Sequence, residues 1–306
     1  MKKILTGLII SIALLLAAVY LFIPGTIKMQ RSIGISAGLA AVSRVLAKDD
    51  NWNKWWPVKT PFSYNGENYK LRGNTFNVIG VDMYSGTDTI KSRLELALID
   101  NDSMTLIWAA EKATSANPFT RYSVYRDTKR IQENMSHLLE YIKTFLEKPE
   151  NVYGFFIHKT MVTDSVLVST RRSFDHHPDP KEIDAMIQSI KKYIAENSAA
   201  EKNYPMLNIT KLDSADYEVM TAIPVDRSLP DTKEFTTKYM LKQGNILESE
   251  VKGGPYTIAA AIDQLEIYRA DHQYTSPAIP YQLLVTDRTK ETDTARWVTK
   301  LYYPVL

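Results

Sequence analysis

The sequence predicts an α+β chain in three parts. These are an N-terminal transmembrane helix over residues 1–26, a helix-grip antiparallel sheet domain over 27–148, and a tandem βαββ pseudo-twofold domain over 150–306. Three observations carry this reading. An apolar run from Ile4 to Ile23 is broken only by Thr6, Gly7 and Ser11. Through Trp108 the apolar residues then recur mainly at every second position, and from Ile131 to Phe145 they change to helical spacing. Beyond residue 150 the order strand, helix, strand, strand occurs twice in succession.

Composition sets the outer limits. A chain of 306 residues accommodates two domains of ordinary size. Apolar content of 44% and charged content of 24% are those of a globular protein. A net charge of +2, with no Lys/Arg cluster interleaved with aromatics, argues against a nucleic-acid partner. The lack of cysteine excludes a disulfide scaffold, thiolate catalysis and cysteine-bound zinc, and leaves the compartment open.

The apolar run is long enough to cross a membrane, since about twenty helical residues span the roughly 30 Å hydrocarbon layer. Pro24-Gly25 ends it. Its length and the poor small-residue site at Ala17-Ala18-Val19-Tyr20 favour an uncleaved anchor over a cleaved signal. Lys2 and Lys3 favour a cytoplasmic N-terminus, against the opposing vote of Lys28 and Arg31. A single-pass protein of the cell membrane is expected, anchored through residues 4–23, with its soluble domains extracytoplasmic.

In the first domain Ile27–Ile35 reads as a strand and Ala37–Leu46 as a short helix, followed by the cluster Trp52, Trp55 and Trp56. Phe76, Val78, Val81 and Met83 suggest one strand with an irregularity near Gly80. Ile90, Leu94, Leu96 and Leu98 alternate with Lys91, Arg93 and Glu95, and Met104, Leu106 and Trp108 continue the series. Ile131, Met135, Leu138, Leu139, Ile142 and Phe145 then form the stripe of a long helix that ends before Pro149. The segment Ile27–Pro57, with Asn51-Trp52-Asn53-Lys54-Trp55-Trp56-Pro57, resembles the START-like group of polyketide cyclases and lipid-transfer proteins (SRPBCC). That resemblance implies a sheet wrapped around the terminal helix with an apolar cavity between them. Large aromatics dominate core burial, so packing is the preferred role for Trp55, Trp56 and Trp108, with cavity lining as the alternative.

The second domain starts near Glu147–Asn151. Val162–Arg172 reads as a strand, and Asp179 with Pro180 as the cap and first residue of a helix striped by Ile183, Met186, Ile187, Ile190, Tyr193 and Ile194. Pro205–Leu212 and Tyr217–Val225 read as strands, and the segment from Asp226 to Gly244 as a joining loop. The order repeats with Leu247–Lys252, the turn Gly253-Gly254-Pro255, and a helix striped by Ile258, Ile262, Leu265 and Tyr268 or Arg269. Pro280–Asp287 and Trp297–Val305 close the copy. Pro205 matches Pro280, and Ala222-Ile223-Pro224-Val225 matches Tyr302-Tyr303-Pro304-Val305. Each copy has too little apolar surface to stand alone, so the two should join through their sheets.

Gly253-Gly254-Pro255-Tyr256, Ile279-Pro280-Tyr281-Gln282-Leu283-Leu284-Val285-Thr286-Asp287 and the terminal Tyr303-Pro304-Val305 resemble the GyrI-like family, the effector-binding domain of AraC- and MerR-type regulators. The resemblance implies a cleft on the pseudo-twofold axis that takes amphipathic or cationic small molecules, and in some members hydrolysis. Two positions depart from the pattern. Gln282 stands where the family has a glutamate, and a neutral amide neither attracts cations nor acts as a general base. Lys252 stands where a histidine is frequent. The ligand-binding candidates are Tyr256, Tyr281, Gln282, Trp297 and Tyr302, for which packing between the sheets is the alternative role.

Other chemistry finds little support. His176 and His177 are adjacent and point apart on an extended backbone, so helix entry explains Asp175–Pro180 better than a metal site. No GxSxG, HExxH, Walker-type or GxGxxG stretch stands in a suitable context. No catalytic residue, metal or cofactor is expected. The function expected is a membrane-anchored protein that binds a small amphipathic or aromatic molecule between two βαββ repeats, without direct DNA contact. The alternatives are a GyrI-like hydrolase of small amide- or ester-like compounds and an envelope module that binds protein or lipid.

Overall fold

A computed structural model describes residues 2–58, 61–212 and 216–306 of the chain. It divides into two compact units, the first ending at Lys148 and the second starting at Pro149.

The first unit runs α1 (Lys2–Phe22), β1 (Thr26–Ile35), α2 (Leu39–Leu46), α3 (Asp49–Trp55), β2 (Ser63–Tyr64), β3 (Glu67–Thr75), β4 (Val78–Ser85), β5 (Asp88–Leu98), β6 (Met104–Ala113) and α4 (Pro118–Leu146). The six strands form one antiparallel sheet in the order β1-β6-β5-β4-β3-β2. α4 packs on β1 and β6, as a helix-grip arrangement requires. Asn117 caps it by accepting from the amides of Phe119 and Thr120, and Pro118 fills the first helical position, where no amide is needed. Ile131, Met135, Leu138, Leu139 and Ile142 are its buried stripe. The apolar side chains of α1 are exposed along most of its length, with Leu16, Ala18 and Val19 half-buried. Its end is fixed to α4: the Tyr20 hydroxyl donates to the Ala116 carbonyl, and Arg121 donates to the Ile23 carbonyl at 2.9 Å while its guanidinium lies 5.0 Å from the Tyr20 ring. The side chains of Lys2 and Lys3, on which the expected orientation rests, lie outside the described residues.

One expectation for this unit changes. Phe76 is not a strand residue. It sits at φ +49 in the β3–β4 turn with its ring 88% exposed. The irregularity expected near Gly80 falls on the partner strand, where the register slips between Leu71 and Gly73.

The second unit runs α5 (Pro149–Tyr153), β7 (His158–Met161), β8 (Val166–Phe174), α6 (Pro180–Glu196), β9 (Met206–Lys211), β10 (Tyr217–Pro224), β11 (Thr236–Tyr239), β12 (Asn245–Lys252), α7 (Pro255–Asp271), β13 (Tyr281–Leu284), a 3₁₀ turn at Thr294–Arg296, and β14 (Val298–Pro304). Its eight strands are antiparallel in the order β11-β8-β10-β9-β13-β14-β12-β7. Read from the centre outward, β9-β10-β8 and β13-β14-β12 mirror each other. The repeats β8-α6-β9-β10 and β12-α7-β13-β14 are therefore joined edge to edge at β9 and β13, where Leu207 faces Gln282 and Met206 faces Leu283. The prolines that open these strands are used symmetrically: Leu284 N donates to the Pro205 carbonyl at 2.8 Å, and Asn208 Nδ2 to the Pro280 carbonyl at 2.9 Å. The segment expected to be a plain joining loop contributes the edge strand β11, and β7 adds the opposite edge.

α6 is held as its sequence directs. Asp179 and Glu182 form a capping box, and Ile183, Met186, Ile187, Ile190 and Ile194 bury its stripe against Val168, Leu207, Val219 and Ile223. α7 buries less, through Ile258, Ala261 and Leu265. Its start needs both glycines of the turn. Gly253 has φ +152, and a β-carbon there would meet Thr257 at 2.8 Å, while one on Gly254 would meet the Thr294 hydroxyl at 2.9 Å.

Candidate functional site

α6 and α7 lie on the same face of the eight-stranded sheet, and a cleft of about 510 Å³ opens between them over the β9–β13 junction. The two helix starts, Pro180 and Pro255, both line it. Ile183 contributes from α6, Ile258 and Ile262 from α7, and Ile209 from β9. Two aromatic side chains, Tyr217 and Trp297, complete the walls. They hold matching places in the repeats, each just ahead of or at the start of the last strand, in register with the matched endings Ile223-Pro224-Val225 and Tyr303-Pro304-Val305.

The polar floor is Gln282 of β13 with Arg288, which the segment between β13 and β14 positions. Thr286 N donates to the Val298 carbonyl at 3.1 Å, and Val298 N donates back to the Thr286 hydroxyl at 2.9 Å. Asp287 then turns the chain by accepting from the amide and hydroxyl of Thr289, with Lys290 Nζ at 3.0 Å. The Thr289 hydroxyl and the Lys290 ammonium hold the Asp287 carboxyl down at about 2. This turn sends the next side chain, Arg288, back over the sheet. Its Nη2 donates to Gln282 Oε1 at 3.1 Å and to the Thr299 hydroxyl at 2.9 Å, and its guanidinium carbon lies 4.9 Å from the centre of the Trp297 ring. Trp297 is itself fixed, since its indole donates to the Glu291 carbonyl at 2.9 Å and its carbonyl accepts from Gly253 N at 2.9 Å. Burial pulls the Arg288 guanidinium down to about 10, which leaves it charged at neutral pH.

The five residues expected to bind ligand do not share one surface. Gln282 and Trp297 line the cleft. Tyr281 and Tyr302 stack on each other with ring centres 5.1 Å apart, among Met206 and Leu283 on the opposite face of the sheet. The cause is the two-residue period of a strand: neighbours 281 and 282 must point to opposite faces. Burial, with neighbouring Asp164 and Glu248, pushes both of these phenols well above their ordinary value. Tyr256, in the first turn of α7, is 94% exposed and lies off the cleft lining. Arg288 and Tyr217 were not among the expected residues. Tyr217 was legible through the duplication, as the counterpart of Trp297. Arg288 sits in an irregular segment, where no periodicity reports direction.

The paired histidines also separate. His176 lies between Asp175 at 2.7 Å and Glu182 at 3.1 Å. His177 faces the Tyr217 ring edge-on, with centres 5.4 Å apart, and lines the cleft mouth. Among the described residues no cluster of histidine and carboxylate groups could hold a metal ion.

No family model matches the chain, and no curated protein matches it. Solved structures do. The chain is similar to the EcmrR C-terminal domain at 14% identity over 50% of this chain and 98% of that one, with a TM-score of 0.42. It is similar to SAV2435 bound to tetraphenylphosphonium at 15% identity over 49% and 93%, with a TM-score of 0.32. A di-domain ARO/CYC, BexL from the BE-7585A biosynthetic pathway, is similar at 9% identity over 92% and 85%, with a TM-score of 0.32. These are likenesses of shape, and the functional reading rests on the site itself.

Proposed function

We propose that the protein is a membrane-anchored receptor for a small molecule, with an amphipathic or aromatic ligand held in the cleft between the two βαββ repeats. The observation that carries this reading is the composition of the cleft: a roomy concavity with isoleucine and aromatic walls and a few convergent polar groups on its floor. The GyrI-like resemblance points to the same cleft. Gln282 and Arg288 are a neutral amide and a protonated guanidinium, suited to fixing a ligand and not to taking a proton from it. The reading assigns no direct DNA contact.

The test is ligand-induced stabilisation of the full chain in detergent micelles, since a molecule that binds the folded state raises its melting temperature by mass action. Aromatic and amphipathic compounds of all charge types are screened against the wild type and against Ile262→Glu, which places a carboxylate in the cleft. Stabilisers that act on the wild type and not on the variant support the reading. No stabiliser at all, or equal stabilisation of both proteins, overturns it.

For localisation we infer that α1 crosses the membrane once and leaves both units on the extracytoplasmic side. An apolar helix of which no side chain from Ile4 to Phe22 is buried supports this, as does the fixed joint at Tyr20 and Arg121. The chain has no cysteine, so a single Lys48→Cys substitution reports sidedness directly. Labelling of intact cells by a membrane-impermeant maleimide is expected. Labelling only after lysis reverses the orientation, and recovery of the chain in the soluble fraction removes the anchor.

A further inference from the structure

Arg288 is the anomaly of the cleft. A half-buried guanidinium is expected to find a carboxylate, because an unpaired charge away from water is costly. Among the described residues Arg288 has none: its acceptors are the Gln282 amide oxygen and the Thr299 hydroxyl, both neutral, and both are served by Nη2. The N–H groups on Nε and Nη1 have no protein acceptor there. The aromatic face of Trp297 supports the cation without neutralising it.

Gln282 adds to the same bias. A guanidinium only donates, so the contact fixes the amide with its oxygen toward Arg288 and its NH2 group turned away, which makes it one more donor. The remaining titratable groups of the lining are Lys211, His177 and Asp179. Asp179 is already engaged by the amides of Lys181 and Glu182 at the start of α6. Apart from Asp179, the described charged side chains of the lining are the cations Arg288 and Lys211, while the walls are apolar.

We propose that the cleft selects amphipathic organic anions, with the ligand's carboxylate on Arg288 and its apolar body between the α6 and α7 walls. The proposal rests on the cleft being a ligand site and adds the charge class of the ligand. Gln282 is then a specificity-determining residue. A glutamate at that position would satisfy Arg288 internally and cancel the charge that recruits the ligand.

One aromatic body carrying three charges tests this: 2-naphthoate, 2-naphthamide and 2-naphthyltrimethylammonium, titrated calorimetrically into the full chain in micelles. The wild type should bind naphthoate about tenfold or more tightly over naphthamide, the size of one charge-assisted contact, and should bind the ammonium most weakly. Arg288→Gln should erase the preference for naphthoate over naphthamide, so that the two bind within about twofold of each other. Gln282→Glu should erase it as well while keeping Arg288 in place, which guards against a misfolded Arg288 variant. Arg288→Lys should retain most of it. Equal or tighter binding of the amide or the ammonium by the wild type overturns the charge class and leaves the cleft standing as a site. A preference that survives both Arg288→Gln and Gln282→Glu does the same. If the wild type binds none of the three, the ligand site and its charge class fall together.

Discussion

The first unit turns its tryptophans inward on one another, and the second sets Tyr217 and Trp297 around an opening. Trp52 stacks on Trp56 at 5.4 Å, and Trp55, Phe62 and Tyr69 close the cluster at 5.0–5.6 Å. Trp108 joins it through Tyr69, and its indole donates to Ser92, which donates on to the Val81 carbonyl. These rings fill the space between sheet and helices. In the second unit Tyr217 and Trp297 stand on the walls of a cleft of about 510 Å³. Both units are antiparallel sheets with helices on one face, so the difference lies in where bulky side chains are placed. A sheet gripping a helix becomes a packed core when its rings meet, and a site when they are held apart by a polar floor.

The buried acids follow the same contrast. Glu67 is enclosed in the first unit beside Arg130, 2.9 Å away, and accepts from Asn134. Burial nevertheless pushes its carboxyl above the ordinary value. The second unit keeps a half-buried cation with no such partner among the described residues. A charge paired within the protein is structural, and one without a carboxylate beside a cavity is available to a ligand.

The largest expected effect breaks the packed side of the comparison. Trp108→Ala should cost about 3–5 kcal/mol in denaturant unfolding, by opening a cavity and stranding Ser92. It should leave naphthamide affinity within about twofold. On the open side the balance should reverse. Tyr217→Ala should weaken naphthamide binding by about tenfold, or ~1.4 kcal/mol, while changing stability by about 1 kcal/mol or less.

A smaller effect concerns pH. The Glu67 carboxyl has a raised folded-state pKa, so its contribution is fully present below the unfolded value near 4.5 and is lost as pH rises through the folded value. The first unit should therefore lose stability upward through that window. Glu67→Gln should flatten the slope in melting temperature against pH. The smallest effect is at the start of α6. Hydrogen bonds donated to the Asp175 and Glu182 carboxylates raise the His176 imidazole above 6.5, so its support is present below 6.5 and fades as pH rises through the folded value. His176→Ala should lower the melting temperature slightly at pH 6 and leave it unchanged at pH 9.

Much of the second unit was legible because duplication repeats its punctuation. Pro205 with Pro280, and the two Pro-Val endings, place four strands without any other help. The alternating pattern also carried information that a list of aromatics overrides: Tyr281 and Gln282 cannot share a face, and neither can Tyr302 and Tyr303. Arg288 was not legible. Its direction depends on the Asp287 turn and the Thr286–Val298 hydrogen bonds, which couple residues across a loop with no period. In the first unit the strand β3 was missed because its outer half, Lys70 to Thr75, is polar apart from Leu71 and Gly73 and is mostly exposed, so it shows little alternation. Ring contact among Trp52, Trp55 and Trp56 was signalled by their clustering in sequence.

The division of labour between the two aromatic sets is open to one direct measurement. All five tryptophans of the chain report on it, four in the first unit and Trp297 in the second. With 5-fluorotryptophan incorporated and Trp297 assigned through Trp297→Phe, the full chain in micelles is titrated with 2-naphthoate and followed by ¹⁹F NMR. The Trp297 resonance should move with the titration while those of Trp52, Trp55, Trp56 and Trp108 stay in place. Movement of the first-unit resonances with Trp297 unchanged would contradict the assignment of the site to the cleft.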